Sequence, residues 1–223
     1  MTRGGIFYNL KIASPQPAAR FVGVSFMNTL FIDGRNFISK MASVFNPDNN
    51  KNKEIDFSLY DFAGLFNKVL SGIKIDRKIF YISRLTIHKD TKDKSEELIE
   101  KQRKLINVLG QQGFEIIFAG KVRGNLGRCP KGHEVLLFKE KGVDVRIAVD
   151  LITFACNKEI DMAVIASSDS DLQPAIRELN NRNIELIYLG FESSPNRGLS
   201  YTTNRTILIR NSEVIEFIPN TLI

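Results

Sequence analysis

Histidine and cysteine are nearly missing from this 223-residue chain, which has two of each. Cys129 and Cys156 do not make a disulfide framework, so the fold rests on its core, and a reducing cytoplasm is the simplest setting. Cys129 and His133 are spaced like half of a zinc site, but no second Cys/His pair accompanies them, so structural zinc is the weaker reading. His88 stands alone in a charged connector and reads as solvated, while Cys156 sits among apolar residues and reads as a core thiol. No apolar run approaches the roughly 20 residues that a membrane span needs. Pro15, Gln16, Pro17 and Arg20 interrupt any signal-peptide core. Gly4-Gly5 and Gly124-Asn125-Leu126-Gly127 match neither the Walker nor the Rossmann phosphate loop, which argues against a nucleotide-cofactor enzyme.

What remains is an ordinary globular composition, 43% hydrophobic and 25% charged, with a net charge of +6 that tilts the chain toward polyanionic partners such as RNA or DNA. The length fits one α/β domain with a full core. Apolar, β-rich runs at 28–32, 77–83, 114–119, 162–166 and 184–189 alternate with amphipathic segments at 37–44, 57–70, 95–109, 143–154 and 172–180. Ser95 reads as the N-cap of the third of these helices. Such alternation predicts a doubly wound α/β fold, a mainly parallel five- or six-stranded sheet with helices on both faces. Residues 120–141 read as a long basic loop carrying Lys121, Arg123, Arg128, Lys131, Lys139 and Lys141. Thr206 to Arg210 and Glu213 to Ile218 read as β-like runs, a terminal hairpin or an added edge strand. The expected division is an N-terminal extension over 1–26, the domain over 27–190, and a C-terminal segment over 191–223 packing on it. Oligomeric state is not legible, and a dimer is compatible with the sequence.

The most informative stretch is AVIASSDSDLQP, residues 163–174. A buried strand runs abruptly into Ser167, Ser168, Asp169, Ser170 and Asp171. Aspartates there are costly to desolvate unless a cation offsets them, and a divalent ion is one reason to place them so. Capping of the following helix by Asp169 or Ser170 is the competing explanation, and on this segment alone the two stand about level. In an open α/β sheet, ligands sit beyond the carboxyl ends of the strands, where the strand order reverses. If the first and fourth predicted strands are neighbours across that point, Asp33 and Asp169 face one crevice. The helix starting near Asp144 opens on the same side. Asp33, Asp144, Asp169 and Asp171 can then share a pocket.

Three segments carry a family resemblance: FIDGRN (31–36), EKGVDVRIAVDL (140–151) and VIASSDSDLQPAI (164–176). In this order and spacing they resemble the motifs of the NYN domain, also called LabA-like, of the PIN-like nuclease superfamily, over roughly residues 27–190. The resemblance implies a Mg²⁺- or Mn²⁺-dependent nuclease, most readily an endoribonuclease, with RNA favoured over DNA. The alternative on the same fold is a non-catalytic RNA- or DNA-binding regulatory module. Carried over, Asp33, Asp144, Asp169 and Asp171 match the acidic positions, and Asn36 matches the polar residue of the first motif. Asp150 matches a further aspartate, although ordinary helical geometry turns it about 120° from Asp144. Ser168 and Leu172 stand where the family often has Gly and Phe, changes that touch no carboxylate.

Phosphodiester cleavage by water needs a nucleophile at neutral pH and a counter-charge, which bound Mg²⁺ supplies, and such an ion suits carboxylates without histidine or cysteine. Asp33 and Asp169 are expected as direct ligands, with Asp144 and Asp171 ligating directly or through water. Asn36 is expected to hydrogen-bond a ligand carboxylate or substrate oxygen, and Ser167 and Ser168 to orient carboxylates. Lys141 is placed to meet the scissile phosphate. Lys121, Arg123, Arg128, Lys131 and Lys139 are expected to track a nucleic-acid backbone.

Overall fold

The computed structural model describes residues 26–46, 55–87, 92–128 and 134–219. Cys129, Lys131, His133 and His88 lie outside the described residues. Among the described residues, seven strands form one sheet: β1 (Met27–Asp33), β2 (Arg77–Arg84), β3 (Glu115–Arg128), β4 (Glu134–Lys141), β5 (Ile160–Ala166), β6 (Glu185–Phe191) and β7 (Arg205–Ile209). Their order is β4-β3-β2-β1-β5-β6-β7. The six strands from β3 to β7 are mutually parallel, and only β4 runs antiparallel. This is the expected doubly wound, mainly parallel sheet with an added edge strand.

The central strands bury both faces, which is why they read as unbroken apolar runs. Alternate residues go to opposite cores. Leu30, Ile32, Phe80 and Ile82 pack with α1 (Gly34–Phe45), α2 (Phe62–Val69), α3 (Lys92–Gln111) and α7 (Asn211–Glu216). Phe31, Ile79 and Tyr81 pack with α4 (Val143–Cys156), α5 (Gln173–Asn181) and α6 (Arg197–Thr202). The strand order reverses between β1 and β5, which pair directly from Asn28↔Met162 to Ile32↔Ala166. That pairing puts Asp33 and Ser167 side by side beyond the last paired rung.

Four sequence expectations are corrected. The basic stretch after Ala119 is a β-hairpin, because residues 121–128 of β3 pair rung by rung with residues 141–134 of β4. Only its first part, up to Lys121, pairs with β2, so the hairpin continues past the carboxyl edge of the sheet. Glu213 to Ile218 is not β-like: Glu213 accepts a hydrogen bond from the Arg210 backbone at 2.8 Å, and Val214 buries one side of the resulting turn of helix. The third helix begins at Lys92, so Ser95 lies inside it rather than capping it. Cys156 is exposed rather than a core thiol. The apolar stripe of α4 is Val143, Ile147, Leu151 and Ala155, and position 156 falls off it.

Candidate metal centre

Three elements end at the reversal point and set the site. β1 runs into Asp33, whose Oδ1 accepts from the Asn36 backbone N–H at 3.1 Å and so caps α1. Gly34 follows because the chain packs directly onto β2: a Cβ there would lie 2.2 Å from Phe80 Cε1 and 2.6 Å from the Tyr81 carbonyl oxygen. β5 runs into Ser167, which is buried and bridges the two strand ends. Its hydroxyl donates to Asp33 Oδ2 at 3.2 Å and accepts from the Asp169 N–H at 3.1 Å. Asp169 in turn accepts from the Asp171 N–H at 2.9 Å and caps the 3₁₀ turn Ser170–Leu172. The third element is α4, which opens at Gly142 in the left-handed region and carries Asp144 in its first turn. A carboxylate suits that position, since the helix N-terminus carries partial positive charge.

One cavity of ≈ 640 Å³ is lined by Asp33, Asp144 and Asp169 together with Arg35, Asn36, Ser39 and Lys141. One carboxylate oxygen from each of Asp144, Asp169 and Asp171 lies within 4.8 Å of the other two. Asp144 and Asp169 are partly buried and Asp171 is exposed. Asp33 shares the cavity but stands outside this close group. Hard oxygen donors gathered this closely fit Mg²⁺ or Mn²⁺, which take a few carboxylates and retain water.

The Asn36 side chain is engaged through its oxygen by the loop after β5. Its Oδ1 accepts from both the Ser168 N–H at 3.1 Å and the Ser168 hydroxyl at 2.9 Å, tying α1 to the loop after β5. From the other side Asn196 Nδ2 donates to the Ser168 carbonyl at 2.9 Å. Asn196 also caps α6, and its backbone N–H donates to the buried Tyr188 hydroxyl at 2.9 Å. The acidic loop is thus held from two directions. The sequence reading missed Asn196, though an asparagine just ahead of a helical turn is a recognisable cap. It also passed over Arg35 and Ser39, which lie one helical turn apart beside Asp33.

Asp150 does not join the cluster. It is buried on the far side of α4, accepting from the Tyr81 hydroxyl at 3.0 Å and from Arg146 Nε at 2.8 Å. Burial first, and then the Asp150 charge, push the Tyr81 phenol well above its ordinary range, so it stays a donor.

Of the basic positions, Lys141 and Lys121 are exposed and face each other at the hairpin root. The backbone register then sets Arg123 opposite Lys139 two rungs on. Like charges directly opposite disfavour the pairing unless an anion offsets them. In the same register Arg128 stands opposite Glu134.

A doubly wound sheet with three converging carboxylates at its reversal point defines a nuclease-like α/β fold. The NYN domain family profile matches residues 29–210, and the chain belongs to that family, within the PIN-like nuclease superfamily. No curated protein matches the chain at a significant level. Among solved structures, a protein of unknown function from Vibrio parahaemolyticus is similar at 17% identity and a TM-score of 0.48, over 81% of this chain and 91% of that one. Among the described residues, no helix is long and apolar enough to cross a membrane.

Proposed function

We propose that the protein is a divalent-metal-dependent nuclease, an endoribonuclease acting in the cytoplasm, with Mg²⁺ or Mn²⁺ held by Asp144, Asp169 and Asp171. The observation that carries this reading is the approach of those three carboxylates to within 4.8 Å at the reversal point of an NYN chain. An ion held there supplies water activation at neutral pH and a clamp on phosphate oxygens. Asp33 is assigned as the fourth carboxylate. It lines the same cavity, and its two oxygens are oriented by the Asn36 backbone N–H and the Ser167 hydroxyl.

The remaining residues hold this arrangement and the substrate. Ser167 fixes Asp33 relative to Asp169, and Asn36 with Ser168 fixes the loop against α1. Lys141 and Arg35, both at the cavity wall, offer positive charge to the phosphates on either side of the scissile bond. Lys121, Arg123 and Lys139 continue that charge along the hairpin, which suits a backbone contact that ignores sequence. Arg128 and Lys131 are kept as weaker candidates for nucleic-acid contact, Arg128 because its rung partner is acidic. The functional unit is residues 27–190, with 1–26 as an extension; pairing of β7 with β6 supports treating 191–223 as a segment packed on that unit.

The test is cleavage of labelled single-stranded and structured RNA, with DNA in parallel, in Mg²⁺, Mn²⁺ and EDTA. Metal-dependent RNA cleavage abolished by Asp169→Asn supports the proposal. RNA binding without cleavage in either metal refutes the enzyme and leaves the regulatory binding module.

A further inference from the structure

A second cavity, of ≈ 670 Å³, adjoins the acidic one and differs from it in chemistry. Its walls are α1, the 3₁₀ turn Phe57–Leu59, the chain leaving β2, and α3. Ile38, Phe57, Ile82, Leu85, Leu98 and Leu105 make it predominantly apolar. Leu98, Gln102 and Leu105 are spaced as one stripe of α3. Arg35 and Ser39 line both cavities, so the first turns of α1 form the ridge between them. A ligand spanning the two would place an anionic part against carboxylate-held metal, pass the Arg35 cation, and put an apolar part beside α3.

Resting on the nuclease reading, we infer that this apolar cavity is a subsite for a nucleobase of the strand whose phosphate lies at the carboxylates. A nucleotide joins an apolar ring to an anionic phosphodiester within one residue, which matches the division on either side of Arg35. The volume lies within the roughly 300–1,000 Å³ of small-ligand sites, enough for one base with room to spare. The subsite should be tolerant of base identity. Gln102, the amide in its wall, is oriented by the backbone: Nε2 donates to the Ser83 carbonyl at 2.9 Å and Oε1 accepts from the Leu85 N–H at 3.5 Å. Binding of the base is carried mainly by the apolar walls.

The experiment uses full-length protein with ¹³C-labelled Ile and Leu methyls, in Ca²⁺, titrated with a ribotrinucleotide and with a fully abasic trimer of equal charge. The expected result is that the base-bearing trimer shifts the methyls of Ile38, Ile82, Leu98 and Leu105 and binds about ten-fold more tightly than the abasic one. Leu98→Trp, which fills the cavity from a half-buried position, should abolish that ten-fold advantage and leave abasic binding unchanged. Leu105→Trp serves as a second filling variant. Equal affinity for the two trimers, or binding that leaves those methyls unmoved, overturns the subsite alone. If neither trimer binds, the nucleic-acid reading of the acidic cavity falls with it.

Discussion

Replacing Asp150 by alanine separates a structural carboxylate from the clustered ones. In the native protein this side chain is 9% exposed and accepts from Tyr81 and Arg146. Its removal leaves the Tyr81 hydroxyl buried without that partner. A hydrogen bond to a charged group contributes about 1.5–3 kcal/mol. Arg146 is 49% exposed, so solvent screening limits its share to about 0.5 kcal/mol. The expected loss is therefore about 3 kcal/mol, which for a domain of this size lowers Tm by roughly 6–12 °C. The assay is urea unfolding of wild type, Asp150→Ala and Tyr81→Phe, together with Mn²⁺ affinity by electron paramagnetic resonance. Tyr81→Phe should cost less, because Asp150 keeps Arg146. Mn²⁺ affinity should be unchanged in Asp150→Ala. A stability loss under about 0.5 kcal/mol, within the range of an ordinary surface change, or a fall in Mn²⁺ affinity matching that of Asp169→Asn, would refute the assignment.

Three further outcomes are expected. Asn196→Ala removes a helix cap and the donor to the Ser168 carbonyl. It should cost about 1–2 kcal/mol and weaken Mn²⁺ binding about ten-fold, read by unfolding and by metal titration. Gly120→Ala should destabilise the hairpin root by about 2 kcal/mol, because φ is +70° and the new Cβ would meet the Lys141 carbonyl oxygen at 2.1 Å. Amide exchange across β3 and β4 measures it, with Gly142→Ala as a milder control whose nearest contact is 3.5 Å. Tyr60, Tyr81 and Tyr188 are held above the ordinary tyrosine range, burial being the main cause in each. Raised folded values contribute stability that is present below about pH 10 and lost as pH rises through them. Tyrosinate absorbance should therefore report these three only as the protein unfolds in alkali.

The sheet and its carboxylates were legible for one physical reason. Buried parallel strands are continuous apolar runs, and an abrupt change to Asp-Gly or Ser-Ser-Asp marks where the chain leaves the core. Asp33 and Asp169 stood at those points, and the neighbouring of their strands, a condition in the sequence reading, is met by the β1–β5 pairing. Of the two explanations offered for the acidic turn, capping is seen at the 3₁₀ turn Ser170–Leu172, by Asp169, and not at α5, which has no side-chain cap; the same Asp169 carboxylate belongs to the close group. What was not legible depends on tertiary partners. Lys121 to Arg128 holds three charges and two glycines and reads as a loop, yet it becomes a strand because residues 134–141 return beside it. Val214 and Ile215 favour a strand locally, but the Glu213 bond to Arg210 and the burial of Val214 decide for helix. Asn36 was expected to face a ligand, and only the fold brings Ser168 within its reach.

The most direct test is a crystal soaked in Mn²⁺ with data collected for anomalous scattering. The expected result is a peak bridged by carboxylate oxygens of Asp144, Asp169 and Asp171, lost in Asp169→Asn. A peak elsewhere in the molecule, or none at a Mn²⁺ concentration that supports cleavage, would contradict the assignment of these three carboxylates as the metal centre.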